Sequence, residues 1–333
     1  MHAKLLTQEK KLHDAQARVF KSIDGDNWTS GDDSTVRADI EKLHSRMKSW
    51  AKVHALDAMT EMGELGPEDL VDFIMAVSQV AGAVNDSALH TLESFKSPRA
   101  NKKSPAILLQ ALLAHNLYRD IVGRPFFAID QQVNGANWEL FQTLLRINEK
   151  EAHAWRSKML RVLNTPLAEN EVGKAAIDAF ANHRRTICYH YAHSLYSSPM
   201  KHLLKPTATR EEAEEVFKSL ELIVQSAGEL SGRLWSRKTS LSTQGLTELK
   251  DTPFKAGSKM LKAHALHKLY DEEDDRCDGF AVRVVVHPAV LGYGSSDGDD
   301  YKTARVWMKA EVLLVEPTGG KSGEEVEDDG ILV

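Results

Sequence analysis

Only two cysteines, Cys188 and Cys277, occur in 333 residues, and they lie far apart in the chain. So few thiols provide no disulfide framework, so stability must come from a buried core and a reducing compartment is expected. Long apolar runs are missing as well. The most apolar stretch, Ala106–Leu113, is far shorter than the ~20 residues that cross a bilayer, and no membrane association is expected. The N-terminal segment, Met1 to Lys10, lacks the apolar run of a secretory signal; cytoplasm or nucleus is the expected location. An excess of positive charge is also absent. Lys and Arg number 42 against 48 Asp and Glu, a net charge of -6, which leaves no basic footprint for nonspecific nucleic-acid binding. No nucleic-acid partner is expected.

Catalytic signatures are scarce too. No Gly-x-Ser-x-Gly elbow is present, and no linear pattern pairs a nucleophile with a base. Gly292-Tyr293-Gly294-Ser295-Ser296 superficially suggests a phosphate loop, but it sits between strands and is followed by acids that repel phosphate. Asp24-Gly25-Asp26-Asn27-Trp28 resembles the start of a calcium loop. Trp28 at position five, Thr29 at six and Thr35 at twelve then break the required ligand pattern.

What is present is helix after helix, up to about residue 270. A first helix is expected over 3–20. Asp32, Asp33 and Ser34 then supply acceptors and negative charge for a helix start. After them Val36, Ile40, Leu43, Met47 and Trp50 recur at spacings of four and three, one apolar stripe on one face. Gly66-Pro67-Glu68-Asp69 opens another helix with proline where a missing N–H costs nothing. Ser94–Ser104, polar and carrying Pro98, reads as an exposed loop. Ser104-Pro105 starts a helix over Ile107–Tyr118 that is apolar nearly all round, hence central, and Gly123-Arg124-Pro125 stops it. Trp138 to Val162 outlines one long helix ending near Asn164. Thr165-Pro166 restarts the chain into a second, with Val172, Ala176, Phe180, His183, Ile187 and His190 on its expected buried stripe. A third begins at the capping box Thr209 with Glu212 and buries Phe217, Leu220, Val224, Ala227, Leu230 and Leu234.

A short helix is expected over Lys259–Tyr270, followed by a solvated turn at Asp271–Asp275. Phe280–His287 and Ala304–Val315 then alternate with period two and read as a β-hairpin. An isolated hairpin is marginal in water, so it should pack on a helix or gain strands. Asp297-Gly298-Asp299-Asp300 reads as its connection. The expected fold is mainly α: a multi-helix bundle of seven to nine helices with a C-terminal antiparallel β-hairpin. The expected organisation is a helical body over 1–270, the hairpin packed on it over 271–317, and a disordered acidic tail over 318–333.

Several blocks carry a resemblance. Trp28-x-x-Gly31-Asp32-Asp33-Ser34, Met47-Lys48-Ser49-Trp50-Ala51-Lys52, Pro125-Phe126-Phe127 and Trp155-Arg156-Ser157-x-x-Leu160-Arg161 are similar to segments of a family of uncharacterised proteins from filamentous ascomycete fungi. So are His287-Pro288-Ala289-Val290-Leu291-Gly292-Tyr293-Gly294 and Lys309-Ala310-Glu311-Val312. The resemblance implies a predominantly helical fungal protein and carries no catalytic residues, because that family has no assigned activity.

His183, Cys188, His190 and His193 form the densest group of metal-ligand types. On a helix, however, His183 and His190 stand about 10.5 Å apart along the axis and cannot share an ion. Both are expected to be hydrogen-bonded and partly buried, with Cys188 a small buried hydrophobe. His264 and His267 lack the glutamate and spacing of a metalloprotease helix and read as a solvated helix end. Arg156, Arg161, Arg184 and Arg185 are candidate partner surfaces. The sequence thus assigns no catalytic, cofactor-binding or metal-ligating residue. The leading expectation is a non-enzymatic interaction or scaffold protein with other proteins as partners. The alternative is an enzyme or small-molecule binder with a pocket inside the helical body near His115, His183 and His190.

Overall fold

The computed structural model describes residues 33–82, 88–97, 100–130, 135–164, 170–295 and 298–316. The expected first helix, the Asp24–Trp28 loop, Pro98, the Thr165-Pro166 restart and the acidic tail lie outside these residues. From Val36 onward the chain forms one compact unit. The fold is mainly α, with strands gathered toward the C-terminal end.

Helix α1 (Asp33–His54) buries Val36, Ile40, Leu43, Met47 and Trp50, the stripe read from their spacing. Helix α2 (Pro67–Ser78) starts with Pro67 in its first turn and buries Phe73 and Val77. After the short α3 (Ala88–Ser94), the segment expected to be an exposed loop turns inward, burying Phe95 and Ala100. Helix α4 (Ser104–Leu117) is buried on nearly every side and lies against strand β3, described below.

The single helix expected from Trp138 to Asn164 is two. Following the one-turn α5 (Phe127–Asp130), α6 (Ala136–Ile147) and α7 (Glu149–Asn164) meet at Asn148, whose backbone is extended (φ -156°, ψ 103°). The Asn148 Oδ1 accepts from the Glu151 amide at 3.2 Å, so Asn148 caps the second helix and ends the first. Helix α8 (Glu171–Ser197) is capped by Asn170. Its buried stripe differs from the expected one. Val172 is 80 % exposed, while Ile187, Cys188, Ala192 and Leu195 are buried. Along the first half, Ile177, Phe180 and His183 are only half-buried, so the periodicity there produces no fully buried stripe. Helix α9 (Arg210–Trp235) carries the expected cap: the Glu212 amide donates to Thr209 Oγ1 at 3.2 Å, and Glu212 Oε2 accepts from the Ala208 amide at 2.7 Å.

From Ser240 the structure departs from the expected hairpin. Among the described residues, six strands form two three-stranded sheets: β1 (Ser240–Gln244), β2 (Leu261–Ala263), β3 (Ala281–His287), β4 (Ala289–Tyr293), β5 (Ala304–Met308) and β6 (Ala310–Val315). A four-residue helix α10 (Leu246–Leu249) follows β1. The first anticipated arm, 280–287, is β3, but the second, 304–315, breaks at Lys309 into β5 and β6. Its later half, β6, runs antiparallel to β3, while β5 pairs with β4, an unexpected strand set off from β3 by Pro288, which cannot donate a ladder bond. Each sheet gains a third strand, β1 beside β4 and β2 parallel to β6. The helix expected at Lys259–Tyr270 is β2 and a 3-10 turn, Ala265–His267. The outer edge of β3 meets residues before α3: the Val285 amide donates to Val80 O and the Gly82 amide to Arg283 O, both at 2.9 Å.

The glycines of the supposed phosphate loop serve aromatic packing. Trp307 lies against Gly292 and Tyr301 against Gly294 (φ +84°), where a side chain would collide with either ring.

Arg156, expected on a surface, is completely buried. Its guanidinium donates to the carbonyls of Trp235 (2.8 Å), Lys238 (3.0 Å) and Thr239 (3.2 Å), and Ser157 Oγ donates to Ser236 O at 2.7 Å. These groups close the C-terminal end of α9, where the helix dipole favours a cation. Burial lowers the Arg156 pKa to about 9.

Candidate ligand-binding site

Helix α4 does not end in an ordinary cap. Over Tyr118–Val122 it widens into a single π-helical turn, in which the Gly123 amide donates to Tyr118 O at 2.8 Å. A Cβ on Gly123 would stand 2.6 Å from that oxygen, so this turn requires glycine. The Trp235 indole holds the turn from behind, donating to Val122 O at 2.7 Å. π-turns inside helices frequently mark functional sites, because they change where side chains point.

This turn presents Arg119 and Asp120 together. Arg119 Nε and Nη2 donate to the two Asp120 oxygens at 2.9 and 2.6 Å, a bidentate pair. Nη2 also reaches Asn116 Oδ1 at 2.9 Å. The Tyr191 hydroxyl of α8 donates to Asp120 Oδ2 at 2.8 Å, with Asn116 O also near at 3.0 Å. Burial pushes the Asp120 carboxyl upward, but hydrogen bonds from Arg119 and Tyr191 and the charges of Arg119 and Arg124 outweigh it and hold it below the usual range. The same burial, with Asp120 alongside, raises Tyr191, so its hydroxyl remains a donor at neutral pH. Arg124 stands at 3.8 Å from Asp120 and is largely exposed.

These groups form one wall of a cavity of about 790 Å³, and Phe126, Phe127, Trp138 and Ile187 form the apolar remainder. Phe126 is buried against Phe141. The volume falls within the range of about 300–1,000 Å³ typical of small-molecule sites.

The three histidines singled out from sequence are not gathered. His115 stands one turn before Arg119, whose Nη1 lies 3.3 Å from its Nε2. Burial and the Arg119 charge lower the His115 pKa, so it is a neutral acceptor supporting Arg119 from behind the cavity wall. His183 is half-buried; His190 and His193 are exposed, with His190 against Tyr189, contrary to the partly buried position expected of His190. Cys188 is buried, and burial pushes its thiol to about 12, as befits a small packed hydrophobe. Among the described residues, no group of three or more His, Cys, Asp and Glu is placed to hold a metal ion, and no helix is long and apolar enough to cross a membrane. Arg119, Asp120, Tyr191 and Trp138 were missed. Their signal was an Arg-Asp pair at the end of an almost wholly apolar helix, three residues before the Gly123 that closes it.

His264 and His267 are not a solvated helix end; they are buried at 8 % and 7 % exposure. His264 Nδ1 accepts from the Leu266 amide at 3.2 Å and His267 Nε2 from the Leu314 amide at 3.0 Å. The His264 ring caps the turn after β2 and the His267 ring pins that turn to β6, roles that helical spacing could not suggest. Against protein-family models, curated proteins and solved structures, the chain gives no match.

Proposed function

We propose that the protein binds a small anionic molecule with a flat apolar body, the alternative that the sequence left beside a scaffold role. The observation supporting this reading is the unequal placement of two arginines on one cavity wall. Arg119 is saturated by Asp120, Asn116 and His115, so its charge serves to shape the turn. Arg124, 65 % exposed and 3.8 Å from Asp120 Oδ1, is, among the described residues of this wall, the cation left for a ligand. A carboxylate, sulfonate or phosphate would take Arg124 in the forked geometry guanidinium favours, while Phe126, Phe127 and Trp138 cover the apolar part. The Tyr191 hydroxyl and Asp120 hold each other in place, and nothing in this network needs to move a proton for such binding.

Calorimetric titration with 2-naphthoate and its uncharged counterpart 2-naphthamide tests the reading. Naphthoate is expected to bind at least tenfold more tightly, about 1.4 kcal/mol, and Arg124→Gln is expected to erase the difference without altering the melting temperature. Equal affinity for both probes, or no binding of either, refutes it.

A further inference from the structure

A second cavity, of about 370 Å³, opens on the strand side, bounded by β2 and its following turn, β6 and Lys48 of α1. Glu311 lies in its wall, buried and on β6. Glu311 Oε2 accepts from His44 Nε2 at 2.9 Å. Among the described residues, Oε1 has only Lys48 Nζ at 3.4 Å and His264 Nε2 at 3.6 Å. Charge-assisted N–H···O bonds usually close to about 2.7–2.9 Å, so one oxygen is engaged and the other is under-engaged. Lys48 and His264 both line the cavity and His44 does not; Oε1 is therefore the oxygen that faces it.

Burial pushes the Glu311 carboxyl upward, but the His44 hydrogen bond and the neighbouring cationic groups hold it down at about 2. It is an anion at any ordinary pH. Burial lowers His264 to about 4 against the opposing pull of Glu311. Its Nδ1 already accepts from Leu266, so it faces Glu311 as a neutral Nε2–H donor. Lys309 is paired with Glu272 at 2.7 Å, whereas Lys262 stands at the exposed rim. Phe254, Leu261 and Leu269 provide an apolar surface between the charges.

We propose that this cavity binds a small α-amino-acid zwitterion with an apolar side chain, its ammonium on Glu311 Oε1, its carboxylate toward Lys48 and Lys262, and its side chain against Phe254, Leu261 and Leu269. The pairing of charges selects the zwitterion. A simple amine would satisfy Glu311 but bring a third cation beside two lysines. A simple acid would satisfy the lysines but face a buried carboxylate, and such like-charge contacts are costly away from water. The site is separate from the cavity beside Arg124 and rests on different observations.

Calorimetry on the full chain with L-phenylalanine, phenethylamine and 3-phenylpropionate decides the matter. L-phenylalanine is expected to bind saturably, with both singly charged analogues at least tenfold weaker. Glu311→Gln is expected to weaken L-phenylalanine at least tenfold. Because loss of a buried carboxylate can loosen the sheet, Leu269→Trp provides the second arm. It fills the cavity from a half-buried position, keeps Glu311, and is expected to abolish binding with the melting temperature nearly unchanged. Arg124→Gln should leave this binding intact. No binding of L-phenylalanine, equal binding of either analogue, or full binding by Leu269→Trp overturns the proposal.

Discussion

Arg156 in the helical body and Glu311 in the strand region are both buried charges, yet they are accommodated in opposite ways. Arg156 is held by three backbone carbonyls at 2.8–3.2 Å and flanked by the Trp235 ring, 4.9 Å from its guanidinium carbon. Its donors are directed at a helix end that cannot rearrange without unravelling. Glu311 is held by side chains from α1 and from the turn after β2, tightly on one oxygen and loosely on the other. A charge satisfied by backbone becomes part of the frame. One satisfied by side chains at 3.4 and 3.6 Å retains capacity for another partner. The cavity beside Arg124 repeats the lesson within one wall, with Arg119 fixed and Arg124 available.

Arg156→Ala should have the largest effect. The buried carbonyls of Trp235 and Thr239 lose this donor, while Lys238 O keeps the Tyr301 hydroxyl at 3.0 Å. At about 1–3 kcal/mol per buried carbonyl, partly offset by no longer burying a cation, the net loss should be about 3 kcal/mol in urea unfolding. A loss below about 1 kcal/mol would mean that Arg156 is no firmer a part of the frame than Glu311. Glu311→Gln, which keeps an acceptor for His44, should cost about 2.5 kcal/mol; a larger loss than for Arg156→Ala would reverse the comparison. Gly123→Ala must displace the π-turn carbonyl and should cost about 2 kcal/mol by overpacking, together with naphthoate binding. Retention of that binding would detach the turn from the site.

Acid titration sharpens the contrast through its sign. Burial, with His44 nearby, holds the completely buried His287 down at about 3, so below its unfolded value of about 6.5 the unfolded chain binds the extra proton. Its contribution is fully present above pH 6.5 and is lost as pH falls toward 3, at up to about 1.4 kcal/mol per pH unit. Glu311 adds a loss of the same sign between its ordinary range near 4.5 and about 2. The urea midpoint should therefore fall steadily below pH 6.5, and His287→Phe should flatten the slope between pH 6 and 4. An unchanged slope would place the acid sensitivity on groups other than His287, such as His264, which burial lowers to about 4. Thr209→Ala should have the smallest effect, about 1 kcal/mol for an exposed cap, with no change in either cavity.

The helices were legible where a helix is amphipathic and capped by its own neighbours: α1 from its stripe, α2 from Pro67, α9 from Thr209 and Glu212. Asn148 was overlooked because the apolar pattern continues across it, although Asn followed by Glu is itself a start signal. The α8 stripe misled because periodicity reports which residues could be buried, while a partner determines whether they are. The strands were half legible. Alternation identified residues 280–287 and 304–315, but the switch between sheets at Pro288 and Lys309 depends on β1 and β2, which lie far back in sequence and alternate too briefly to recognise. His115 was read as grouped with His183 and His190, which the fold does not gather, and His44, His264 and Glu311 meet only through tertiary packing and left no local trace.

The short contact of Val80–Gly82 with β3 has a further consequence. A bare strand edge is a template on which a second molecule can add its own strand and start a fibre. Here the chain covers that edge itself, and Arg283, by donating Nη1 to Gly82 O, fastens the cover. Protection against self-templated growth thus rests on a stretch of only a few residues contributed by the opposite half of the chain.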